Sequence, residues 1–281
     1  MRPSDPAPAS SPATTSPPGG SPLRLLPGVH AVPRGDGYLH LGLDPPHRAV
    51  LPDRPEVHAL LAALRSESGL VGSPDPAQSP ALDALRDADL LCAPDPPRRR
   101  VGVHLVVGRL DVRPLAAVLD GAGLPVRCEA GIAGAGPEDV VVLASTGYDT
   151  RRHGDRLVRR GLTHLVLGPG PIPGRPRLGP WVVPGTTACL RCVDAEDGGD
   201  DPRRWWVMQD LLDRAAPALC PGELPLLLGW AARDLLAWAA GGTPTTWSGT
   251  VDLAPQGPVL RPRRPSPYCG CTWDTDRSGP V

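Results

Sequence analysis

The stretch that defines the fold begins about a third of the way along the chain and reads Val101-Gly102-Val103-His104-Leu105-Val106-Val107, an apolar run followed by a glycine. Two similar runs come after it, at residues 139–144 and 163–167. Two helices are predicted between these runs: one begins at residues 115–119, and the other covers residues 151–160. Apolar strands that alternate with helices predict an α/β fold with a Rossmann-type, doubly wound parallel sheet.

The C-terminal part of the chain departs from this alternation. Its pattern predicts two helices followed by two extended segments, at residues 203–216, 224–240, 245–253 and 258–261. The N-terminal part predicts three short strands and then two amphipathic helices, at residues 29–33, 37–41, 48–51, 56–65 and 77–88. Three strands followed by helices indicate a small α+β domain of winged-helix type.

Proline-rich segments separate these parts and predict the domain boundaries. We expect a disordered Pro/Ser-rich tail at residues 1–22, a winged-helix-like domain at 23–92 and a linker at 93–100. The α/β domain then covers residues 101–273, and a short tail follows at 274–281.

The composition of the 281-residue chain excludes several functions. The formal net charge is −1, which argues against general nucleic-acid binding. The chain contains no lysine, so all 29 positive charges are arginines. No lysine side chain is therefore present to form a Schiff base, to clamp a phosphate or to act as a base.

Neither a signal peptide nor a membrane span is expected. Residues 1–20 lack an apolar core, and the most apolar stretch, residues 224–240, is interrupted by Arg233 and Asp234. These features predict a cytoplasmic protein with no membrane partner, whose cysteines are reduced.

Four of the seven cysteines form two close pairs. Cys189 and Cys192 enclose two residues, and Cys269 and Cys271 enclose one, with 76 residues between the pairs. Four thiolates in two pairs are typical of a tetrahedral structural zinc site, which would close a C-terminal subdomain. The alternatives are a redox pair or cysteines without a special role. Isolated, mostly buried thiols are expected at Cys92, Cys128 and Cys220.

The turn after the first strand resembles a degenerate nucleotide-binding loop. A phosphate site needs several glycines there, whereas this chain has Gly108 followed by Arg109 and, at Asp111, a negative charge. Ser145 and Thr146 stand after the second run, where a metal-binding aspartate would be expected. Gly108 and Arg109 are thus read as a remnant, ATP is not expected as a cofactor, and no catalytic residue is assigned.

The cysteine segments resemble a known family. Residues 179–192 read GPWVVPGTTACLRC, an acidic stretch follows, and residues 268–271 read YCGC. This combination is similar to ThiF-like proteins of bacterial peptide-modification clusters, which belong to the ubiquitin-activating-enzyme-like (ThiF/MoeB) superfamily. The resemblance covers about residues 100 to 273. It implies a non-catalytic, cyclodehydratase-associated protein of thiazole/oxazole-modified (RiPP, bacteriocin-type) peptide biosynthesis.

The resemblance also implies partners. The N-terminal domain would be a PqqD-like clamp that takes a precursor's leader peptide as an added strand, while ATP-dependent chemistry would reside in a separate YcaO-type cyclodehydratase. Carried onto this chain, the groove residues are Arg48, Val50, Leu51, Leu82 and Leu85. An ATP-dependent adenylyltransferase that activates a carboxylate is the alternative function, and a homodimer is a further possibility.

The remaining aromatic residues are expected in the core. Five tryptophans surround the two C-terminal helices, and we predict that they pack inside the zinc subdomain, with a partner surface as the alternative: Trp205, Trp206, Trp230, Trp238 and Trp247. His104, within the first apolar run, is predicted to be a buried, hydrogen-bonded side chain rather than a ligand.

Overall fold

The computed structural model describes residues 22–93, 99, 101–107, 110–145, 147–199, 201, 203–212, 214, 219–220 and 222–272. The predicted tails, apart from residue 22, and most of the predicted linker lie outside the described residues. Residues 1–96 and 97–281 form two compact units, which are described separately.

The first unit contains the predicted strands and helices. Strands β2 (Ala31–Pro33), β3 (Tyr38–Gly42) and β4 (Arg48–Pro52) form an antiparallel sheet in the order β2-β3-β4. Helices α1 (Pro55–Arg65) and α2 (Ser79–Asp87) follow, and α2 packs against β4. Strand β1 (Arg24–Leu25) pairs with β5 (Leu91–Cys92), so the two ends of the unit are joined.

Apolar periodicity explains the core of this unit. Helix α1 begins with Pro55, whose fixed φ suits the first helical position, and it buries one face made of Val57, Leu60, Leu61 and Leu64. Leu39 and Leu41 of β3 complete the same cluster from the sheet. Burying each such side chain contributes about 1.5–3 kcal/mol.

The second unit is built on a seven-stranded sheet in the order β12-β11-β10-β9-β8-β6-β7. Its strands are β6 (Gly102–Val107), β7 (Val126–Glu129), β8 (Asp139–Ala144), β9 (His164–Pro169), β10 (Pro176–Val182), β11 (Gly249–Ala254) and β12 (Gly257–Pro262). Its helices are α3 (Arg113–Gly121), α4 (Thr150–Arg159), α5 (Leu190–Asp197), α6 (Arg204–Leu211) and α7 (Glu223–Ala239).

The prediction of a parallel sheet is correct for one half only. Strands β7, β6, β8 and β9 are parallel, whereas β10, β11 and β12 are antiparallel to their neighbours. Six residues join β9 to β10, which is too short for a parallel crossover and long enough for a hairpin. Apolar clusters on both sides of the sheet include residues of α3 and α7 in one and of α4 and α5 in another.

Two of the five tryptophans contradict the core prediction. Trp238 packs against the fully buried Trp181 and stacks on Trp247, with ring centroids 5.5 and 5.8 Å apart. Trp205 and Trp206, in contrast, are 54% and 72% exposed on α6. The buried residue of this short helix is Met208, so its two tryptophans face away from the core.

Several single-residue predictions are also decided. His104 is buried, and its Nε2 lies 2.9 Å from the Gly131 carbonyl oxygen, as predicted for a core histidine. The isolated cysteines are not mostly buried: Cys128 and Cys220 are exposed, and Cys92 is half-buried. No helix among the described residues has the length and apolarity that crossing a bilayer requires.

Candidate metal centre

The four paired cysteines come together in the folded chain. Their sulfur atoms all lie within 4.8 Å of one another. The Sγ atom of Cys189 is 3.8 Å from that of Cys192 and 3.4 Å from that of Cys269, and Cys192 and Cys271 are 3.5 Å apart. Four sulfurs at about 2.3 Å from a tetrahedral zinc are roughly 3.8 Å from one another. The donor set and its spacing therefore fit a zinc ion.

The start of α5 positions the first pair. Cys189 is the N-cap residue of α5 and Cys192 lies within its first turn, so both sulfurs emerge on one side. The preceding turn is fixed by Thr187, whose hydroxyl donates to the Trp181 carbonyl at 2.8 Å and accepts from the Val183 amide at 2.7 Å. The CxxC spacing thus follows from helix geometry.

A tight turn after β12 positions the second pair. Gly270, between the two cysteines, has φ +76°, a left-handed conformation that side chains disfavour. The amide of Cys269 donates to the Ser266 carbonyl at 3.1 Å, and the amide of Ser266 donates to the Cys192 sulfur at 3.2 Å. The segment before the second pair therefore contacts a sulfur of the first.

The thiols influence one another's ionisation. The pKa of Cys192 is lowered to about 5, first by the hydrogen bond from the Cys189 thiol and further by the Ser266 amide. The pKa of Cys271 is raised to about 12 by burial and then by its contact with Cys192, and the pKa of Cys189 is raised by its hydrogen bond to Cys192 and by burial. A bound dication would favour the thiolate form of all four cysteines.

The predicted nucleotide remnant follows strands β6 and β8 in the sequence. Gly108, Arg109 and Thr146 lie outside the described residues. Beside the end of β8, the Ser145 hydroxyl donates to Asp149 at 2.7 Å, and both line a cavity of 60 Å³, room for about two waters. Asp111 is paired with Arg113, which lowers the pKa of that carboxyl to about 2. The expectation that ATP is not bound stays a prediction.

The predicted peptide groove requires a correction. Arg48 and Val50 are exposed on β4, an edge strand of the first unit. Leu51, Leu82 and Leu85 are buried in the core, because they occupy the inward faces of β4 and α2. These three leucines support the strand and the helix and do not line an accessible surface. Peptide contact by Arg48 and Val50 stays a prediction.

Comparison with known proteins supports the fold. No family model matches the chain, and no curated protein sequence matches it. Among solved structures, the heterocyclase TruD is similar with a TM-score of 0.60 and 17% identity over 90% of this chain. A heterocyclase in complex with substrate and cofactor is similar with a TM-score of 0.58 and 18% identity over 86% of this chain. E. coli MccB with ATP is similar with a TM-score of 0.58 and 11% identity over 90% of this chain.

The lengths of these neighbours differ in an informative way. The chain spans 43% of the TruD chain and 38% of the second heterocyclase chain, but 99% of the MccB chain. At these identities the likeness establishes the α/β architecture of the chain. The architecture of this chain is thus similar to part of each heterocyclase chain and to nearly all of the MccB chain.

Proposed function

We propose that this protein is a non-catalytic scaffold that binds the leader segment of a ribosomal precursor peptide and presents it to a separate YcaO-type cyclodehydratase. One observation carries the proposal: 90% of the chain has the fold of less than half of a heterocyclase chain. In this proposal the ATP-dependent chemistry belongs to the YcaO-type partner. The product would be a thiazole- or oxazole-containing peptide of the bacteriocin type.

The first unit supplies the features that a peptide clamp needs. Strand β4 is an edge strand, so one side of its backbone has no neighbouring strand among the residues that the structure describes. An extended peptide can add to such an edge through main-chain hydrogen bonds, with specificity coming from alternate side chains. Helix α2 packs against the same strand and would form the second wall. The ThiF-like and PqqD-like assignments of the two units belong to this proposal.

The four cysteines have a structural role in the proposal. Cys189, Cys192, Cys269 and Cys271 would hold one zinc ion as thiolates. Four sulfur ligands leave no open position for substrate, so the ion would contribute folding energy and no Lewis-acid chemistry. It would join α5 to the segment after β12.

Peptide binding is tested directly by fluorescence polarisation. The probe is a labelled synthetic leader peptide from a short Cys/Ser/Thr-rich precursor encoded beside this protein's gene. We expect a Kd in the micromolar range or tighter, weakened at least tenfold by Val50→Asp on β4. The matched control is Val32→Asp on β2, the opposite edge, which is also exposed and should leave binding unchanged. No binding at tens of micromolar, with or without the partner, contradicts the proposal.

One observation favours a second function. E. coli MccB, whose structure with ATP is known, is matched over 99% of its length. The alternative is therefore an adenylyltransferase that activates a carboxylate. ATP–pyrophosphate exchange that depends on the precursor peptide would support this alternative and reject the scaffold, whereas no exchange would reject the alternative. Homodimer formation stays a prediction that light scattering can test.

A further inference from the structure

A group of buried charges lies between the metal-binding segments and the antiparallel half of the sheet. Arg177, Asp252 and Arg263 are each at most 7% exposed, and Asp197 is half-buried. Buried charges are costly unless they are paired, and these four side chains pair with one another. The sequence does not indicate the group, since its members lie on four different segments.

The pairing is continuous. Asp197 accepts hydrogen bonds from Nη1 of Arg177 at 2.8 Å and from Nη1 of Arg263 at 2.7 Å. The Arg177 Nε donates to Asp252 at 2.5 Å, directly across the β10–β11 pair. The Arg261 Nε, on β12, donates to the second oxygen of Asp252 at 2.8 Å. One network therefore joins α5, β10, β11 and β12.

The network ends where the two cysteine pairs begin. Asp197 is the last residue of α5, the helix that carries Cys192. Arg263 directly follows β12 and lies three residues before Ser266, whose amide donates to the Cys192 sulfur. Two hydrogen bonds fix Arg263 itself. Its backbone amide donates to the Ser248 carbonyl at 2.7 Å, and its Nε donates to the Thr250 hydroxyl at 3.1 Å. The Asp197–Arg263 pair is thus a direct link between the segments that hold the two pairs.

Stability alone does not account for this arrangement. Apolar residues of similar volume commonly stabilise a buried site as well as an ion pair does, whereas a fork of directed hydrogen bonds fixes separation and orientation. We propose that Asp197 and Arg263 are positioning residues for the metal centre, which hold the two cysteine pairs at the separation that a tetrathiolate ion requires. The inference rests on the proposed zinc site.

The test measures zinc affinity rather than stability. The full-length chain with Asp197→Asn is titrated against a chromophoric chelator at a temperature at which every variant is folded by circular dichroism. We expect a zinc affinity about 10-fold below that of the unchanged protein, the lower end of the range for groups bound directly to metal ligands, because Asp197 acts through Arg263 and contacts no cysteine. Asparagine keeps the size of the side chain and removes its charge.

The matched control is Glu223→Gln. Glu223 accepts a hydrogen bond from Arg175 at 2.6 Å, and the side chains of Glu223 and Asp197 are 14% and 18% exposed. This variant removes the charge of a comparably buried, ion-paired carboxylate on α7, away from the cysteines, so its zinc affinity should equal that of the unchanged protein. Equal affinities for Asp197→Asn and Glu223→Gln overturn the positioning role.

A second variant covers the case in which Asp197→Asn does not fold. Arg263→Lys keeps the charge but loses the fork that binds Asp197 and Thr250 together, so zinc affinity should fall while circular dichroism is retained. In the cobalt(II)-substituted protein, the visible ligand-field bands of this variant should shift, because the sulfur geometry changes. Unchanged bands and affinity overturn the inference. If the unchanged protein binds no zinc, the proposed site itself is wrong, and the inference falls with it.

Discussion

The interiors of the two units differ in chemistry. The buried core of the first unit consists of leucine, valine and alanine side chains. Among the residues that the structure describes, all twelve buried polar or charged side chains lie in the second unit. Among its described residues, the interior of the first unit therefore depends on apolar packing and backbone hydrogen bonds. The second also depends on thiols, histidines and carboxylates, whose states change with metal, oxidant and pH.

This comparison predicts different responses to solution conditions. Metal removal and mild acid should weaken the second unit and leave the first unchanged. Hydrogen exchange can measure the two units separately within the intact chain, since protection reports local opening free energies.

Removal of the proposed zinc ion should produce the largest difference. At a free zinc concentration 1,000 times the Kd, binding adds about 4 kcal/mol to stability. Cys192→Ser, or a chelator, should therefore lower the exchange protection of α5 and of residues 263–272 by that amount, with α1 and α2 unchanged. Cys220→Ser, at an exposed cysteine, is the control and should have no effect. Equal loss of protection in both units would contradict the comparison.

Removal of a buried carboxylate should have the next largest effect. Asp234 accepts hydrogen bonds from the Thr245 amide at 2.8 Å and from the amide and hydroxyl of Thr246 at 3.0 and 2.5 Å. Asp234→Ala leaves these donors unpaired and should cost about 3 kcal/mol in urea unfolding. Asp83→Ala removes an exposed pair with Arg86 in the first unit and should cost less than about 1 kcal/mol. Similar losses of unfolding free energy for the two variants would show that the two units do not differ in their dependence on carboxylates.

Acid should act through His164. Burial lowers the pKa of this histidine to about 4, although its hydrogen bond to the Leu162 carbonyl opposes the shift. The native state therefore favours the neutral ring, and stability is lost as pH falls below about 6.5, the pKa of an unfolded histidine. Between pH 7.5 and 5 the loss from this group should be about 2 kcal/mol.

Urea unfolding at pH 7.5 and pH 5 tests the histidine prediction. Between these two pH values, the free energy of unfolding of His164→Leu should fall by about 2 kcal/mol less than that of the unchanged protein. This difference is independent of the effect of the substitution on absolute stability. His30→Gln, which removes an exposed imidazole of the first unit, is the control. A His164→Leu variant with the original pH dependence would show that this ring does not respond to acid.

The smallest effect is expected at the exposed tryptophans. Trp206 is 72% exposed, so Trp206→Ser should change stability by no more than about 0.5 kcal/mol. Trp181→Ala, at a fully buried position of the same unit, should cost about 3–5 kcal/mol. Differential scanning calorimetry of both variants tests whether burial alone separates them.

The sequence predicts best what depends on local spacing. The run at residues 101–107 contains β6. The CxxC and CxC spacings predict two close pairs of sulfurs, and the fold places the two pairs together. In contrast, β10 reads PRLGPWV, and its prolines and glycine are typical of a turn, so its place in the sheet was not predicted. Pairing with β9 and β11 overrides that local preference.

Other features depend on contacts between distant residues. The Asp197–Arg263 pair joins residues 66 positions apart in a chain with 29 arginines, and no spacing distinguishes these two. The same holds for Trp205 and Trp206, because aromatic composition indicates burial but the short α6 does not provide it. The buried leucines of the predicted groove follow from local periodicity, since Leu51 lies on the inward side of the β4 alternation and Leu82 and Leu85 lie on the apolar face of α2.

The separation of the two cysteine pairs has a consequence for biosynthesis. Cys192, the later residue of the first pair, leaves the ribosome 77 residues before Cys269, which at 5–20 residues per second corresponds to roughly 4–15 s. During that interval the nascent chain carries two thiols with half of a ligand set. Reducing conditions in the cell would have to keep them from oxidation or from capture by other soft metals until the second pair is translated.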